Sequence, residues 1–408
     1  MPEKNAHTTA MSAEPEVHEG LEGIVASATR LSLVDGENGR LILAGYAMED
    51  IAPRASFEEV AHLLWYGRLP NREELEDLRR QLVARRRLPP ATLALLREAA
   101  SSSVPVMDAV RMASSTLSLG LRRSNGGESD RGTTASLHKE IGESVLNGNE
   151  SLEDQALTAV SAFPAIVGAY WRLRNGQEPI EPREDLSHAE HYLHQIFGGE
   201  IGRERARGLE TYLNTVCDHG FNASTFTARV IVSTHSDIIS AVTGAVGALK
   251  GPLHGGAPGP ALDMVLEIGE ASRAEEAIAA RLARGERLMG FGHRVYRVRD
   301  PRASVLSAAS ERFYTTEGNR ELYELAMAVE ETALRLLARH KPGRPIHTNV
   351  EFYTALLLHG LGLSSELFTP TFAVSRVLGW TAHCLEQLRE GRLIRPQSLY
   401  VGPRERKC

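Results

Sequence analysis

The chain has 408 residues, enough for two or three domains, and its 42% apolar and 24% charged residues are those of an ordinary globular protein. A formal net charge of −6 gives no footprint for a nucleic-acid or membrane-surface partner. The three cysteines, Cys217, Cys384 and Cys408, form no CxxC pair, which fits a reducing compartment and no structural zinc.

Residues 1 to about 19 are polar, lack the apolar centre of a secretory leader, and read as a loose tail. No stretch reads as the roughly 20 apolar residues of a membrane helix. The expectation is a cytoplasmic protein. Residues 20–46, GLEGIVASATRLSLVDGENGRLILAGY, alternate, and turn pairs at Asp35-Gly36 and Asn38-Gly39 predict a short hairpin. Ser56 with Glu59 makes a capping box ahead of an apolar face of Phe57, Val60, Ala61 and Leu64. Asn71 with Glu74 opens a second helix on Leu75, Leu78 and Leu82, which Pro89-Pro90 is expected to stop. Helical periodicity continues near 91–118, 153–174, 186–197, 203–218, 223–249, 260–284, 302–340, 349–361 and 371–390, with Gly391 placed to end the last run. Sustained strand patterns are scarce, so the expected fold is mostly α-helical, of the all-α class. Residues 122–150, rich in Ser, Gly, Asn and charge, read as a flexible surface insertion.

Four stretches carry candidate chemistry. In GPLHGGAPGP, His254 sits in a bend of glycine and proline just ahead of a predicted helix. It is either a polar turn residue or an imidazole kept neutral by the helix N-terminus, able to donate an N–H to a carbonyl gaining charge. In MGFGHRVYRVRDPRA, Gly290 and Gly292 bare the backbone directly before His293, and four arginines follow. Arg294 and Arg299 read as a solvated basic face. Arg302 follows the turn-forming Asp300-Pro301 and suits a bidentate grip on a carboxylate. The GFG pair is a weak phosphate-loop signal with no Walker lysine.

Asn349 reads as the N-cap of a helix with Glu351 in its first turn. The acid either complements the helix dipole or serves as a base kept ionised by that dipole. Arg376 lies within an amphipathic helix beside Ala373, Val377 and Trp380, a costly place unless it meets a protein carboxylate or a ligand anion. Arg395, before a proline near the chain end, reads by itself as a surface residue. The candidate histidines show no HxxxH-type pair, so no metal site is expected.

Taken together, GLEGIVASATRLSLVDGENGRLILAGY, SFEEVAHLLWYGRLP, DHGFNASTFTARV, KGPLHGGAP, MGFGHRVYRVRDPRA, NVEFYTALLLHGLG, LFTPTFAVSRVLGWTAHCLEQ and RLIRPQSLYVG resemble the citrate synthase family, in order and over nearly the whole chain. The resemblance implies a homodimer of nearly all-helical subunits. The large domain would comprise residues 20–255, containing the 122–150 insertion, and 356–408. A smaller domain, residues 256–355, would close over the substrates oxaloacetate and an acyl-CoA. His219, in the same DHGFNAS motif as Asn222, corresponds to the histidine holding oxaloacetate or citrate, and both are assigned to substrate binding. His254 corresponds to the one that polarises the thioester carbonyl, and His293 to the one that polarises the ketone. Arg302, Arg376 and Arg395 correspond to carboxylate-binding arginines, the last normally supplied by the partner subunit. Met289, Gly290, Phe291, Gly292 and Arg297 correspond to the coenzyme A contacts. Coenzyme A enters as a co-substrate thioester, with no permanent cofactor and no metal. The long N-terminal domain of the NADH-regulated relatives is not apparent.

Most of the family has aspartate where this chain has Glu351, and a branch of bacterial members has the same NVEF. Glutamate carries its acid group about 1.5 Å, one C–C bond, further out, and a displacement of about 1 Å can cost about 100-fold in rate. The resemblance implies condensation of acetyl-CoA with oxaloacetate, with Glu351 as the base. The alternatives are a 2-methylcitrate synthase using propionyl-CoA, since one methylene is worth only about 1–3 kcal/mol of discrimination, and a catalytically weak paralogue that binds a dicarboxylate or acyl-CoA. A bland helical scaffold explains the apolar stripes but not the His and Arg set.

Overall fold

The structure, a computed structural model, describes residues 17–121, 151–255, 258–293, 295–343 and 345–406. The predicted insertion at 122–150, most of the tail before residue 20, Arg294 and Cys408 lie outside these. One small antiparallel sheet opens the chain: β1 (Ser32–Asp35), β2 (Arg40–Leu43) and β3 (Tyr46–Ala47), in that order. The predicted hairpin is β1–β2, with Ser32 opposite Leu43 and Asp35 opposite Arg40. A single four-residue turn, Gly36 to Gly39, joins the strands. Asp35 closes it by accepting the Asn38 backbone and side-chain N–H groups at 3.0 and 2.8 Å.

Helices follow: α1 (Met48–Ile51), α2 (Phe57–Tyr66), α3 (Arg72–Ala84), α4 (Pro90–Ser101), α5 (Val106–Ser115), α6 (Leu152–Arg174), α7 (His188–Phe197), α8 (Arg203–Val216), α9 (Ala223–Val232), α10 (Ile238–Leu249), α11 (Pro258–Ile268), α12 (Ala274–Ala283), α13 (Pro301–Thr316), α14 (Arg320–His340), α15 (Val350–Gly360) and α16 (Phe368–Glu390). The capping boxes at Ser56/Glu59 and Asn71/Glu74 are both formed, and Gly391 ends α16. Four predicted runs are each two helices. The breaks fall at Ser103 and His235, which take positive φ of 52° and 63°, at Gly269 with φ 71°, and at Asn319, which caps α14. The helical period runs across these turns unbroken, so the sequence hides them. Pro89-Pro90 does not stop α3, which ends at Ala84. It opens α4, with Pro90 as the first helical residue, where a missing N–H costs nothing.

A further expectation is corrected. α6 is long and apolar enough by composition to cross a membrane, although the sequence suggested no such stretch. Most of it is buried against α16, α7, α5 and α4, so its apolarity serves the core. α16 runs through that core against α6, α8, α9 and α10. The helices α11 to α15 form a second packing group, α11 and α13 on α15 and α12 on α14, and α13 also rests on α8. Cys217 and Cys384 are buried free thiols. A buried polar thread crosses the first group. Asp218 accepts from His383 at 3.1 Å, His383 Nδ1 lies 3.0 Å from Arg229, and Arg229 donates to Glu386 at 2.6 Å. Glu386 also accepts the backbone N–H of Arg30 at 2.8 Å.

Candidate active site

The chemistry-bearing residues sit on loops and helix ends between the two packing groups. His219 lies between α8 and α9, His254 between α10 and α11, and His293 on the loop before α13. Arg302 and Glu351 occupy the first turns of α13 and α15, and Arg376 lies inside α16.

The hairpin holds two of these loops at once. Ser32 Oγ accepts the Gly220 N–H at 2.9 Å, beside His219. The Gly36 carbonyl accepts the Arg297 N–H at 2.8 Å, and a Cβ on Gly36 would stand 2.3 Å from the Val295 oxygen, so only glycine fits. The His293 loop is therefore fixed against the same ribbon as the His219 loop.

His293 Nδ1 accepts the backbone N–H groups of Val295 and Tyr296 at 3.0 and 3.1 Å. Two donors on Nδ1 place the proton of the neutral ring on Nε2. Arg302 Nη2 lies 3.2 Å from that Nε2, so the guanidinium and the imidazole stand side by side. Burial, then the Arg302 charge, pushes His293 down to about 4. His219 is pushed well below its ordinary value by burial, Arg302 and Arg376, and its ring centroid is 6.1 Å from that of His293.

Arg302 grips a carboxylate as the turn predicts, and that carboxylate is Asp300. Nε donates to Oδ1 at 3.0 Å and Nη2 to Oδ2 at 2.8 Å, with both side chains buried. Asp300 also accepts the Val350 N–H at 3.3 Å, tying α13 to the start of α15.

His254 is set by α9 as well as by the helix that follows it. The Ser224 N–H, in the first turn of α9, donates to His254 Nε2 at 3.3 Å, and Ser224 Oγ lies 2.8 Å from the same nitrogen. Trp380 donates to that hydroxyl at 3.1 Å. Both contacts are made to Nε2, so α9 orients the ring through that nitrogen. His254 is pushed down to about 4 by burial first and then by Arg376. Asn222 caps α9: its Oδ1 accepts from Ser224 Oγ and Thr225 N–H at 2.8 and 3.1 Å, and its Nδ2 donates to Gly220 and Thr225. Its amide is thus spent within the turn, where it positions Ser224.

Glu351 departs from the dipole reading. Asn349 caps α15 as predicted, accepting the Glu351 N–H at 3.0 Å. Burial nevertheless raises the Glu351 carboxyl above its ordinary value, against the pull of Arg302 and then Arg287. A carboxylate raised this way is a stronger base. Arg376 is buried, donates Nε to the Val216 carbonyl at 2.8 Å, and stacks its guanidinium 4.5 Å from the Phe372 ring. Burial lowers it to about 10, with Asp218 opposing.

A cleft of about 870 Å³ opens beside His293. Arg287, Arg297, His340, Lys341 and His347 give it a basic wall. Of the five residues expected to meet coenzyme A, Phe291, Gly292 and Arg297 line it. Met289 packs against the core. Gly290, with φ 87°, accepts the Asn349 N–H at 2.9 Å, and a Cβ there would meet that of Phe352 at 3.0 Å. The glycine loop and the segment leading to Glu351 are thus one unit, joined also by the bridge of Phe291 with Thr348. Arg299, read as solvated, pairs with the buried Glu330 at 3.5 Å.

Arg395 is not brought to this group. It is exposed, one residue past Ile394, whose N–H donates to Ser233 at the far end of α9. That is about 15 Å along the helix from His254. Ser224, Tyr296 and Asp300 are the site residues that sequence reasoning missed. Their only signal was adjacency to a motif histidine or arginine. Among the described residues, no His, Cys, Asp and Glu group is arranged to hold a metal ion.

Neutral N–H donors and buried guanidinium groups around one basic carboxylate suit the binding and activation of a small carboxylated carbonyl compound, and the class so defined is an enzyme on an all-helical scaffold. The profile described as citrate synthase, C-terminal domain, matches residues 20–397, and the chain belongs to the citrate synthase family. It is 40% identical to "Citrate synthase 2" of Bacillus subtilis, covering 95% of this chain and 96% of the relative. It is 37% identical to "2-methylcitrate synthase" of Mycobacterium tuberculosis, covering 99% and 95%. Among solved structures it is similar to citrate synthase of Thermoplasma acidophilum, in ternary complex with carboxymethyl coenzyme A and oxaloacetate. There the TM-score is 0.81 at 30% identity, with 96% of this chain and 98% of that one covered.

Proposed function

We infer that the protein condenses acetyl-CoA with oxaloacetate to give citrate and coenzyme A. The observation that carries this is the convergence of His219, His293 and Arg302, the two rings 6.1 Å apart and the guanidinium 3.2 Å from His293 Nε2. The Arg376 charge also acts on His219 and His254, and the Arg302 charge on Glu351. Glu351 takes a methyl proton from the thioester, and an N–H of His254 stabilises the enol that forms. The enol carbon attacks the oxaloacetate ketone, whose oxygen is met by His293 Nε2–H and Arg302. Water then hydrolyses the citryl thioester and coenzyme A leaves. The two carboxylates of oxaloacetate need guanidinium partners because burying them unpaired is prohibitive.

The basic cleft is the place for the anionic coenzyme, residues 256–355 act as the closing domain, and closure excludes water from the enol. The working unit is a homodimer in which the partner supplies Arg395 to this site. A mixture of Arg395→Ala and Glu351→Gln subunits then regains about one quarter of wild-type activity, from the one intact site of each mixed dimer. The enzyme works in the cytoplasm, in the tricarboxylic acid cycle. The 2-methylcitrate reading is kept alive by the mycobacterial relative.

The test is thiol release from acetyl-CoA and from propionyl-CoA with oxaloacetate. Release from acetyl-CoA that is lost in Glu351→Gln and kept in part by Glu351→Asp supports the condensation. A propionyl preference moves the assignment to methylcitrate, and no release from either leaves a binding protein.

A further inference from the structure

We propose that Tyr296 is a positioning residue of the oxaloacetate half of the site, fixing the placement of His293 through its backbone N–H and of His219 through its hydroxyl. The proposal rests on the oxaloacetate reading above. Tyr296 is buried, three residues after His293. Its N–H donates to His293 Nδ1 at 3.1 Å, while its hydroxyl lies 3.0 Å from His219 Nε2. The ring makes the third corner of a triangle with the two imidazoles, 4.9 Å from the centroid of His293 and 5.7 Å from that of His219. The Arg302 guanidinium lies 5.9 Å from its centre.

This arrangement crosses a boundary in the fold. His219 belongs to the loop between α8 and α9, whereas Tyr296 and His293 belong to the loop before α13. The hydroxyl contact sets the distance between two rings that sequence places 74 positions apart (293 − 219). The hairpin holds both sides from outside, at Gly220 and at Arg297, next to each end of the contact. His254, which faces the thioester, is built on α9 and α16 and shares none of these bonds. Removing the hydroxyl therefore loosens the oxaloacetate half and leaves the acyl half in place.

Tyr296→Phe keeps the ring and the backbone N–H. The expected result is an about tenfold rise in the KM for oxaloacetate, the size of one lost hydrogen bond. The KM for acetyl-CoA stays unchanged and kcat falls less than about threefold. Calorimetric titration of oxaloacetate into the free variant shows the same about tenfold weakening. Ser32→Ala, which withdraws the hairpin from Gly220, produces the same selective rise and carries the test if Tyr296→Phe does not fold. An unchanged oxaloacetate KM and Kd overturns the proposal. So does an even loss of kcat and of affinity for both substrates together with a lower thermal midpoint, which marks a packing role. Wild-type thiol release is read separately: its absence defeats the condensation reading, whereas an active wild type with an unaltered variant defeats only this one.

Discussion

Arg302 holds Asp300 through two parallel N–H···O bonds, at 3.0 and 2.8 Å, within a buried pair. The arginine expected to meet substrate thus already carries a partner. Its positive charge is aimed and partly neutralised before any ligand arrives. Asp300→Asn leaves that guanidinium buried without its counter-charge. Breaking a buried pair on one side costs about 3–5 kcal/mol. The variant is expected to unfold at a clearly lower urea midpoint, with a reduced kcat/KM for oxaloacetate. An unshifted midpoint would show that Asp300 contributes no net stability.

The pH behaviour of Glu351 follows from its burial. Its carboxyl is raised in the fold, so the proton is held more tightly folded than unfolded. Such a group contributes stability that is full below its unfolded value and is lost as pH rises through the folded one. Glu351→Gln is therefore expected to raise the thermal midpoint at about pH 8 and to change it little below about pH 4, while cutting thiol release by about 10²- to 10⁴-fold. The acid limb of the wild-type rate lies above the ordinary glutamate value, because the base must be ionised to act. His254 and His293, both near 4, add no limb at the usual imidazole value. Thermal melts at the two pH values and a pH–rate profile check both statements.

Gly36 offers a test from outside the site. An added Cβ would stand 2.3 Å from the Val295 oxygen and 2.9 Å from its carbon, so the His293 loop must give way in Gly36→Ala. A shift of about 1 Å at the reacting groups costs about 100-fold. We expect kcat/KM to fall by that order, although the substitution touches no substrate-facing side chain. Steady-state kinetics read it directly.

Much of the fold was legible because it is written locally. Ser56, Asn71 and Asn349 cap where their side chains can reach the third or second N–H ahead. Gly391 ends a helix by the same local logic. The split runs were not legible, since a turn at Ser103 or His235 leaves the apolar period on either side unchanged. At the site, residue types carried the message for His254, His293, Arg302 and Arg376. The partners did not show, because Ser224 meets His254 across 30 positions and Tyr296 meets His219 across 77. The upward push on the Glu351 carboxyl did not show for the same reason: a helix dipole is visible in sequence, whereas burial by other segments is not.

The thread from Asp218 through His383 and Arg229 to Glu386 ends on the Arg30 backbone, 356 positions from Glu386. At about 5–20 residues per second, a ribosome needs tens of seconds to span that interval. Until the last helix emerges, Asp218 lacks the His383 imidazole and the Arg30 backbone lacks the Glu386 carboxylate. The residues that close this thread are therefore among the last to be synthesised.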